Sequence, residues 1–197
     1  MSTSYWLDRS STKPKRTYDV VVVGAGISGL STVFWLNQED PNLKIALIEK
    51  QRLAFGASGR NAGFLTCGSV EHFNRMINKH GKDEAIEIWK FAQTNLDLLK
   101  EHVIQDQEEQ IEFKQRGAYS LAAKDSEFTE LKNVAKIMDE IGIPVESFSE
   151  AEIKKNVGAQ NFVGGIKYAD DAETNPVKLL ELLKTKIKCD LFEMTEV

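Results

Sequence analysis

Two short apolar runs frame the first part of the chain and predict buried strands. Residues 18–23 contain four valines, and residues 43–48 form a second apolar run that ends at Glu49. Consecutive apolar positions are typical of parallel strands that are covered on both faces. Between them, residues 30–36 place apolar side chains at helical spacing, and residues 40–42 predict the end of that helix. The segment therefore predicts a strand–helix–strand unit with a right-handed crossover.

The rest of the chain alternates between helical and strand-like patterns, which predicts a second, α+β region. Cap residues and apolar spacing predict helices from Ser69 through Lys79, from Asp83 through about Val103, over residues 128–141, after a Ser149–Glu152 capping box, and from Asn175 and Pro176 through Lys188. Short apolar runs predict strands at residues 111–114, 119–122, 143–146, 165–168 and 189–193.

Composition narrows the class of protein. The 197 residues are 42% hydrophobic and 28% charged with a net charge of -5, which is typical of a globular protein and argues against a nucleic-acid partner. The two cysteines and three histidines lack metal-ligand spacing, so we predict no metal site and no disulfide framework. No apolar run is long enough for a membrane span, and we expect a reducing, cytoplasmic location.

The turn after the first strand carries a nucleotide-binding pattern. Gly24-Ala25-Gly26-Ile27-Ser28-Gly29 is G-x-G-x-x-G, whose glycines make the turn, admit a pyrophosphate and seat the helix. Packing alone can also select small residues in such a turn, but the strand before it and the helix after it favour nucleotide binding. Glu49 follows at the expected distance of about 20 residues and can accept hydrogen bonds from ribose hydroxyls.

An acidic residue at this position repels a 2′-phosphate and so disfavours NADP, which leaves NAD and FAD. Lys50 joins the candidate site by its position beside Glu49, although its charge is also typical of a solvated surface residue.

A second motif distinguishes these cofactors. The run Gly56-Ala57-Ser58-Gly59-Arg60-Asn61-Ala62-Gly63-Phe64 resembles the flavin-contacting segment of the D-amino-acid oxidase-like FAD oxidoreductases, the superfamily of glycine and sarcosine oxidases. Together with Ser4-Tyr5-Trp6-Leu7-Asp8, it resembles most the branch that contains gamma-glutamylputrescine oxidoreductase. Small residues also have a physical reason here, because they let backbone amides approach a phosphate.

The resemblance implies roles for single residues. Ala57 and Ser58 would face the phosphate and ribityl part of FAD, and Ala62, Gly63 and Phe64 would lie beside the flavin ring. Arg60 and Asn61 belong to the same run, where Arg60 either places a positive charge near the flavin or pins the loop. The backbone of Val197 would contact the adenine.

The resemblance also implies the fold class and the organisation of the chain. We expect a Rossmann-like FAD-binding βαβ core with the start of an α+β substrate domain. The expected parts are an amino-terminal extension, residues 1–17; the first part of the FAD-binding domain, 18–105; a partial substrate domain, 106–188; and a strand returning to the FAD-binding domain, 189–197. The chain resembles the amino-terminal half of such an enzyme, so we expect an exposed sheet edge that favours self-association.

The implied reaction is oxidation of the CH–NH bond of an amine or amino acid to an imine. No catalytic residue is predicted, because the family's substrate-binding residues lie largely in the half that this sequence does not contain. Two alternatives remain from the residues themselves: an NAD-dependent dehydrogenase, which leaves residues 56–64 unexplained, and a nucleotide-binding fragment without turnover.

Overall fold

A computed structural model describes residues 16–197 of the chain; the motif at residues 4–8 and residues 1–15 of the predicted extension lie outside this range. Six α-helices are present in it: α1 Ile27–Glu39, α2 Val70–His80, α3 Lys82–Leu98, α4 Asp125–Glu140, α5 Glu150–Val157 and α6 Pro176–Thr185. Nine strands accompany them: β1 Val20–Val23, β2 Ile45–Ile48, β3 Phe64–Leu65, β4 Lys114–Gln115, β5 Ala118–Ala122, β6 Val145–Ser149, β7 Gly164–Tyr168, β8 Ala172–Glu173 and β9 Asp190–Phe192.

The first sheet is parallel and carries the predicted crossover unit. Its strands lie in the order β1-β2-β9, with Val22 opposite Leu47 and Leu47 opposite Leu191. Helix α1 connects β1 to β2 and buries Leu30, Val33 and Phe34 in the core beside the sheet. Helix α6 contributes Leu179, Leu180, Leu182 and Leu183 to the same core. A short turn then connects α6 to β9.

The second region is built from two small antiparallel sheets, in the orders β3-β8-β4 and β5-β7-β6. Its core is separate from the first one and lies between α2, α3, α4 and the second of these sheets. Trp89 stacks edge-on between Phe73 and Tyr168 there, with ring centroids 5.3 and 5.1 Å away. The domain boundaries stay a prediction, and this packing favours counting α6 with the nucleotide-binding part.

Strand β1 differs from its predicted environment. Val21 and Val23 are 54% and 66% exposed, whereas Val20 and Val22 pack against the core, so only one face of the strand is covered. The strand is also an edge of its sheet. The unbroken valine run was therefore a misleading indication of two-sided burial, because it does not reveal whether a neighbouring layer covers the second face.

Several predicted element bounds were wrong. The segment 111–114 is mostly a turn stabilised by local hydrogen bonds, and the strand begins only at Lys114. Helix α3 begins at Lys82 with Gly81 as its cap, so Asp83 lies inside the first turn, and its last turns continue as a π-helix over Leu99–Ile104. Helix α6 ends at Thr185, before the predicted Lys188, and β9 is shorter than predicted.

The predicted cap chemistry is otherwise confirmed. Ser69 accepts a hydrogen bond from His72 N at 3.0 Å, and Asn175 accepts one from Lys178 N at 3.2 Å. Ser149 and Glu152 form the capping box at the start of α5. No helix of residues 16–197 has the length and apolarity required to cross a membrane.

The open face of β1 leads to a test of the expected self-association. We expect Val21→Thr with Val23→Thr to lower the self-association of the chain, because threonine keeps the β-propensity but removes apolar surface. Light scattering after size exclusion at several protein concentrations measures this. Val157→Thr, at another exposed valine, is the matched control. An unchanged concentration dependence in the double variant would contradict the expectation.

Candidate functional site

The turn between β1 and α1 is shaped by two glycines whose backbones meet. Gly24 has a positive φ of 99°, a conformation that favours glycine. A Cβ on Gly29 would lie only 1.8 Å from the carbonyl oxygen of Gly24. The first turn of α1 therefore packs directly on the backbone of the loop, which is the seating role predicted for this glycine.

The amino terminus of α1 presents backbone donors at the end of the sheet. Gly26 caps the helix without a side-chain hydrogen bond. The N–H of Ile27 donates to Ser58 Oγ at 3.0 Å. The N–H groups of Gly26 and Ser28 have no acceptor among the described residues. Free amides at the positive end of a helix are a favourable place for a phosphate.

Glu49 is held in place by the backbone. Its Oε2 accepts from Ala25 N and its Oε1 from Gln51 N, both at 2.8 Å. Each oxygen keeps lone pairs that can accept further hydrogen bonds. The carboxylate therefore lies beside the glycine turn with capacity for the two hydroxyls of a ribose.

The end of the chain runs past this carboxylate. Thr195 N donates to Glu49 O at 2.9 Å, and Lys50 Nζ forms an ion pair with Glu196 at 2.5 Å. Both ionic side chains are mostly exposed, so this pair contributes little to stability. Val197 is 84% exposed two residues beyond Thr195. The adenine-side roles of Lys50 and Val197 stay predictions.

The second motif folds into a tight loop that contains a 3-10 helix, Ala57–Gly59. A Cβ on Gly59 would lie 2.1 Å from Ala54 O. Asn61 fastens the loop, because its Nδ2 donates to Ser58 O at 2.8 Å and its Oδ1 accepts from Gly63 N at 2.8 Å. The loop thus places Ser58 against the first turn of α1 and joins the two sequence motifs.

The far end of this loop docks on the segment before α6. Gly63 has a φ of 75°, and a Cβ there would lie 2.0 Å from Thr174 O. Thr174 N donates in return to Gly63 O at 2.9 Å, and its hydroxyl donates to Ile111 O at 2.8 Å. Thr174 is buried and polar, and it positions Gly63 without having been predicted as a site residue.

The remaining predicted residues lie on the open side of the loop. Ala57, Ala62 and Phe64 are exposed, with Phe64 73% exposed. The guanidinium of Arg60 lies 4.4 Å from the centre of the Phe55 ring, a cation–π contact. This contact supports the loop-pinning alternative for Arg60, while a cofactor contact stays a prediction.

A groove of about 290 Å³ runs from the amino terminus of α1 along this loop to α6. Predicted residues line it together with residues that lie outside the two sequence motifs, among them Ser31, Asn95, Leu99 and Leu180. These four lie on helices, and no local signal in the sequence separates them from ordinary helix residues. The site fits a dinucleotide, because it combines the free amides of α1, the carboxylate of Glu49, the hydroxyl of Ser58 and glycines that leave room for the ligand.

A polar cluster lies beyond Phe64. Tyr168 OH donates to Gln93 Oε1 at 2.5 Å, and Cys67 Sγ lies 4.0 Å from the same hydroxyl. Burial raises the pKa of Tyr168 and of the Cys67 thiol. Burial also raises the pKa of Asp171, while the Thr66 hydroxyl and the Cys67 amide oppose this shift.

This fold and site define a dinucleotide-binding α/β protein. The chain belongs to the DAO family of FAD dependent oxidoreductases, which matches residues 19–197. The family assignment decides between the two remaining cofactors in favour of FAD and against the NAD alternative.

Three curated relatives illustrate the range of the similarity. The sarcosine oxidase subunit beta of Rhodobacter capsulatus is 28% identical over 155 residues, 79% of this chain and 34% of its own length. The L-2-hydroxyglutarate dehydrogenase of Dictyostelium discoideum is 28% identical over 87% of this chain and 35% of its own length. The gamma-glutamylputrescine oxidoreductase of Escherichia coli is 24% identical over 83% of this chain and 38% of its own length. The resemblance predicted a similarity to this branch.

Solved structures agree on the fold. Glycine oxidase from Geobacillus kaustophilus superposes with a TM-score of 0.71 at 23% identity, over 91% of this chain and 47% of that one. The L-alpha-glycerophosphate oxidase from Mycoplasma pneumoniae, solved with FAD bound, gives a TM-score of 0.65 at 19% identity. The match covers 92% of this chain and 46% of that one. The match spans 34–38% of the length of these three curated relatives and 46–47% of the length of the two structures.

A first prediction concerns the backbone contact at Gly29. Gly29→Ala should lower the free energy of unfolding by about 1–3 kcal/mol, because the new methyl meets backbone that cannot rotate away. Gly56→Ala is the matched control, since its Cβ meets nothing within 4 Å and its φ of -77° suits alanine. Urea unfolding measures both. Equal urea midpoints for the two variants would contradict the prediction that the contact between Gly29 and Gly24 O leaves no room for a methyl group.

A second prediction concerns pH and Asp171. Because burial raises its pKa, the stability that its protonated form contributes is complete below the unfolded value of 3.8 and is lost as pH rises through the folded pKa. Asp171→Asn stays uncharged, so its stability relative to the parent should increase as pH rises above 3.8 and through the raised folded pKa of Asp171. Urea unfolding at several pH values measures this. A pH-independent difference would contradict it.

Proposed function

We propose that this chain supplies the FAD-binding part of an oxidoreductase that oxidises the CH–NH bond of an amine or amino acid. The observation that supports this most is the convergence of two separate motifs on one helix terminus, where Ser58 Oγ accepts from Ile27 N at 3.0 Å. Convergence of this kind is required for a cofactor that spans both motifs and is not required for packing.

The residues present would hold the cofactor at four points. The free amides of Gly26 and Ser28 would donate to the pyrophosphate, and the Ser58 hydroxyl, which already accepts from Ile27, keeps its proton for a phosphate oxygen. Glu49 would accept from the ribose. Ala57 and Ala62–Phe64 would border the ribityl chain and the ring, as the family resemblance implies.

Bound FAD would supply the acceptor for the two electrons and the hydrogen that leave the substrate carbon as hydride. In the proposed reaction the amine nitrogen would lose a proton as the C=N bond forms, and water would hydrolyse the imine. This chain's own contribution is binding, orientation and a wall beside the ring. The exposed Phe64 would provide part of that wall.

A second candidate reaction is oxidation of a CH–OH bond in a hydroxy acid. It is favoured by the similarity to L-2-hydroxyglutarate dehydrogenase, which extends over 173 residues of this chain. The residues proposed to bind the phosphate and the ribose would serve both reactions equally, because FAD would accept the electrons in each. Adding sarcosine or L-2-hydroxyglutarate to the FAD-loaded protein without oxygen and following the loss of flavin absorption distinguishes the two.

The cofactor proposal is tested by FAD uptake. The parent chain should bind FAD, and Gly26→Val should reduce uptake at least tenfold, because bulk at this position enters the space of the pyrophosphate. Gly26 has an extended backbone, φ -88° and ψ -172°, which valine adopts without strain, and its neighbour at 2.9 Å is the rotatable Ser58 hydroxyl. A loss of uptake in a variant whose urea unfolding midpoint matches the parent would therefore report on the cofactor site and not on the fold.

The measurement is the visible absorption of the protein after incubation with FAD and desalting, followed by identification of the released nucleotide. Ala151→Val, which adds bulk to an exposed position of α5, is the control and should bind like the parent. A parent chain that folds but takes up no FAD would overturn the proposal and favour a protein without turnover.

A further inference from the structure

The position of Phe64 depends on its backbone. Its side chain is 73% exposed, so packing around the ring does little to fix it. Phe64 lines the cofactor groove and also a second cavity of about 260 Å³, whose lining includes Tyr168 and Asp171. Gly63 precedes it and is buried with a φ of 75°. Whatever fixes the backbone of Gly63 therefore also fixes the residue between the groove and this cavity.

The strand pairing at this point is short. Strands β3 and β8 form only two residue pairs, and Phe64 lies opposite Glu173 in one of them. Beyond these pairs, Thr174 N donates to Gly63 O at 2.9 Å. Short ladders open readily, because few buried contacts stabilise them. A further anchor is therefore needed to keep Gly63 and Phe64 in one position.

The side chain of Thr174 provides such an anchor. Thr174 is only 7% exposed, and its hydroxyl donates a buried hydrogen bond to Ile111 O at 2.8 Å. The side chain of Ile111 is fully buried in the core beside the parallel sheet. Its carbonyl also accepts from Asn175 N at 2.9 Å. Because buried hydrogen bonds are shielded from water, this pair of bonds connects Thr174 to a fixed point of the core.

The backbone of Thr174 passes this position on to Gly63. A Cβ on Gly63 would lie 2.0 Å from Thr174 O and 3.3 Å from Pro176 Cδ, so the two segments touch. Atoms in such close contact have no free space between them, and a shift of one requires a shift of the other. The Thr174 hydroxyl thus determines where the backbone before Phe64 lies.

The other end of the groove is fixed by separate contacts. Glu49 accepts from Ala25 N, and Ser58 accepts from Ile27 N. Neither hydrogen bond includes Thr174. Loss of the Thr174 hydroxyl should therefore disturb the end of the groove at Phe64 and leave the end at the glycine turn as it is.

We infer that Thr174 is a positioning residue for the flavin end of FAD, which it controls through Gly63. The inference rests on the proposed function for the identity of the ligand. It adds a residue that lies outside both sequence motifs, and it divides the binding of FAD into two ends that depend on different contacts.

The test measures the affinities of the full chain for FAD and for ADP by calorimetry, because ADP contains the adenosine and the pyrophosphate but not the ribityl chain or the ring. Thr174→Val keeps the shape of the side chain and removes its donor. We expect it to weaken FAD binding about fivefold or more and to leave ADP binding within about twofold. Thr174→Ser keeps the donor and should bind FAD within about twofold of the parent.

The matched control is Thr129→Val, which removes a threonine hydroxyl that donates to Asp125 O at 2.9 Å in α4. It should leave both affinities within about twofold of the parent, because this hydrogen bond lies within α4 and Thr129 does not line the groove. An equal loss of FAD and ADP affinity in Thr174→Val would overturn the inference, since it would indicate a general effect on the fold.

A second pair of variants covers the case in which Thr174→Val does not fold. Thr174→Ala and Thr174→Ser both lack the methyl group and differ only in the hydroxyl, so the alanine variant should bind FAD more weakly than the serine variant. Amide NMR signals of the ligand-free Thr174→Ala chain should shift more at Gly63 and Phe64 than at Ser28. Equal FAD affinities of the alanine and serine variants would overturn the inference.

The same measurements separate this inference from the proposed function. FAD binding that does not depend on the Thr174 hydroxyl would overturn only the role of Thr174. A parent chain that binds neither FAD nor ADP would overturn the proposed function, and displaced signals of Gly63 and Phe64 would then still support the control of this loop by Thr174. A parent chain that binds ADP but not FAD would overturn both.

Discussion

The contact between the backbones of Gly24 and Gly29 is the constraint on which the site depends. It brings the first turn of α1 against the end of β1 so closely that a Cβ would lie 1.8 Å from a carbonyl oxygen. Because the helix is seated there, its free amides lie at the carboxyl end of the strands, where Glu49 follows β2. The charge of the helix terminus and the carboxylate thus lie side by side, one suited to a phosphate and the other to a ribose.

The loop at residues 56–63 completes this arrangement through backbone contacts that are possible only because glycine has no side chain. Gly59 packs on Ala54 O and Gly63 on Thr174 O, at distances that leave no room for a Cβ. The loop is thereby fixed at both ends, and Ser58 reaches Ile27 N across 31 residues of sequence. Through Thr174 and Phe64, the same loop connects the cofactor groove to the antiparallel region and to the cavity that contains Asp171.

The sequence predicted those parts of the site that depend on local backbone chemistry. The glycine turn, the caps at Ser69 and Asn175, and the position of Glu49 follow from residue type and spacing, and the structure contains each of them. The resemblance carried by residues 56–64 predicted the family, which the match over residues 19–197 confirms.

Long-range features were not predictable in this way. Thr174 and Asn95 reach the groove only through the packing of distant elements, and nothing near them in the sequence indicates it. The exposure of Val21 and Val23 depends on whether a layer covers β1, which a valine run does not reveal. Asp171 precedes β8 and carries no local signal in the sequence, and only its burial and its unpaired oxygen distinguish it.

The central claim is that one dinucleotide joins the two motifs at the amino terminus of α1. A crystal structure of the chain with FAD tests it most directly. The account predicts pyrophosphate oxygens within hydrogen-bond distance of Ser28 N and Ser58 Oγ, with the adenosine ribose on the carboxylate of Glu49. A cofactor bound elsewhere, or a ribose that does not contact Glu49, would contradict it.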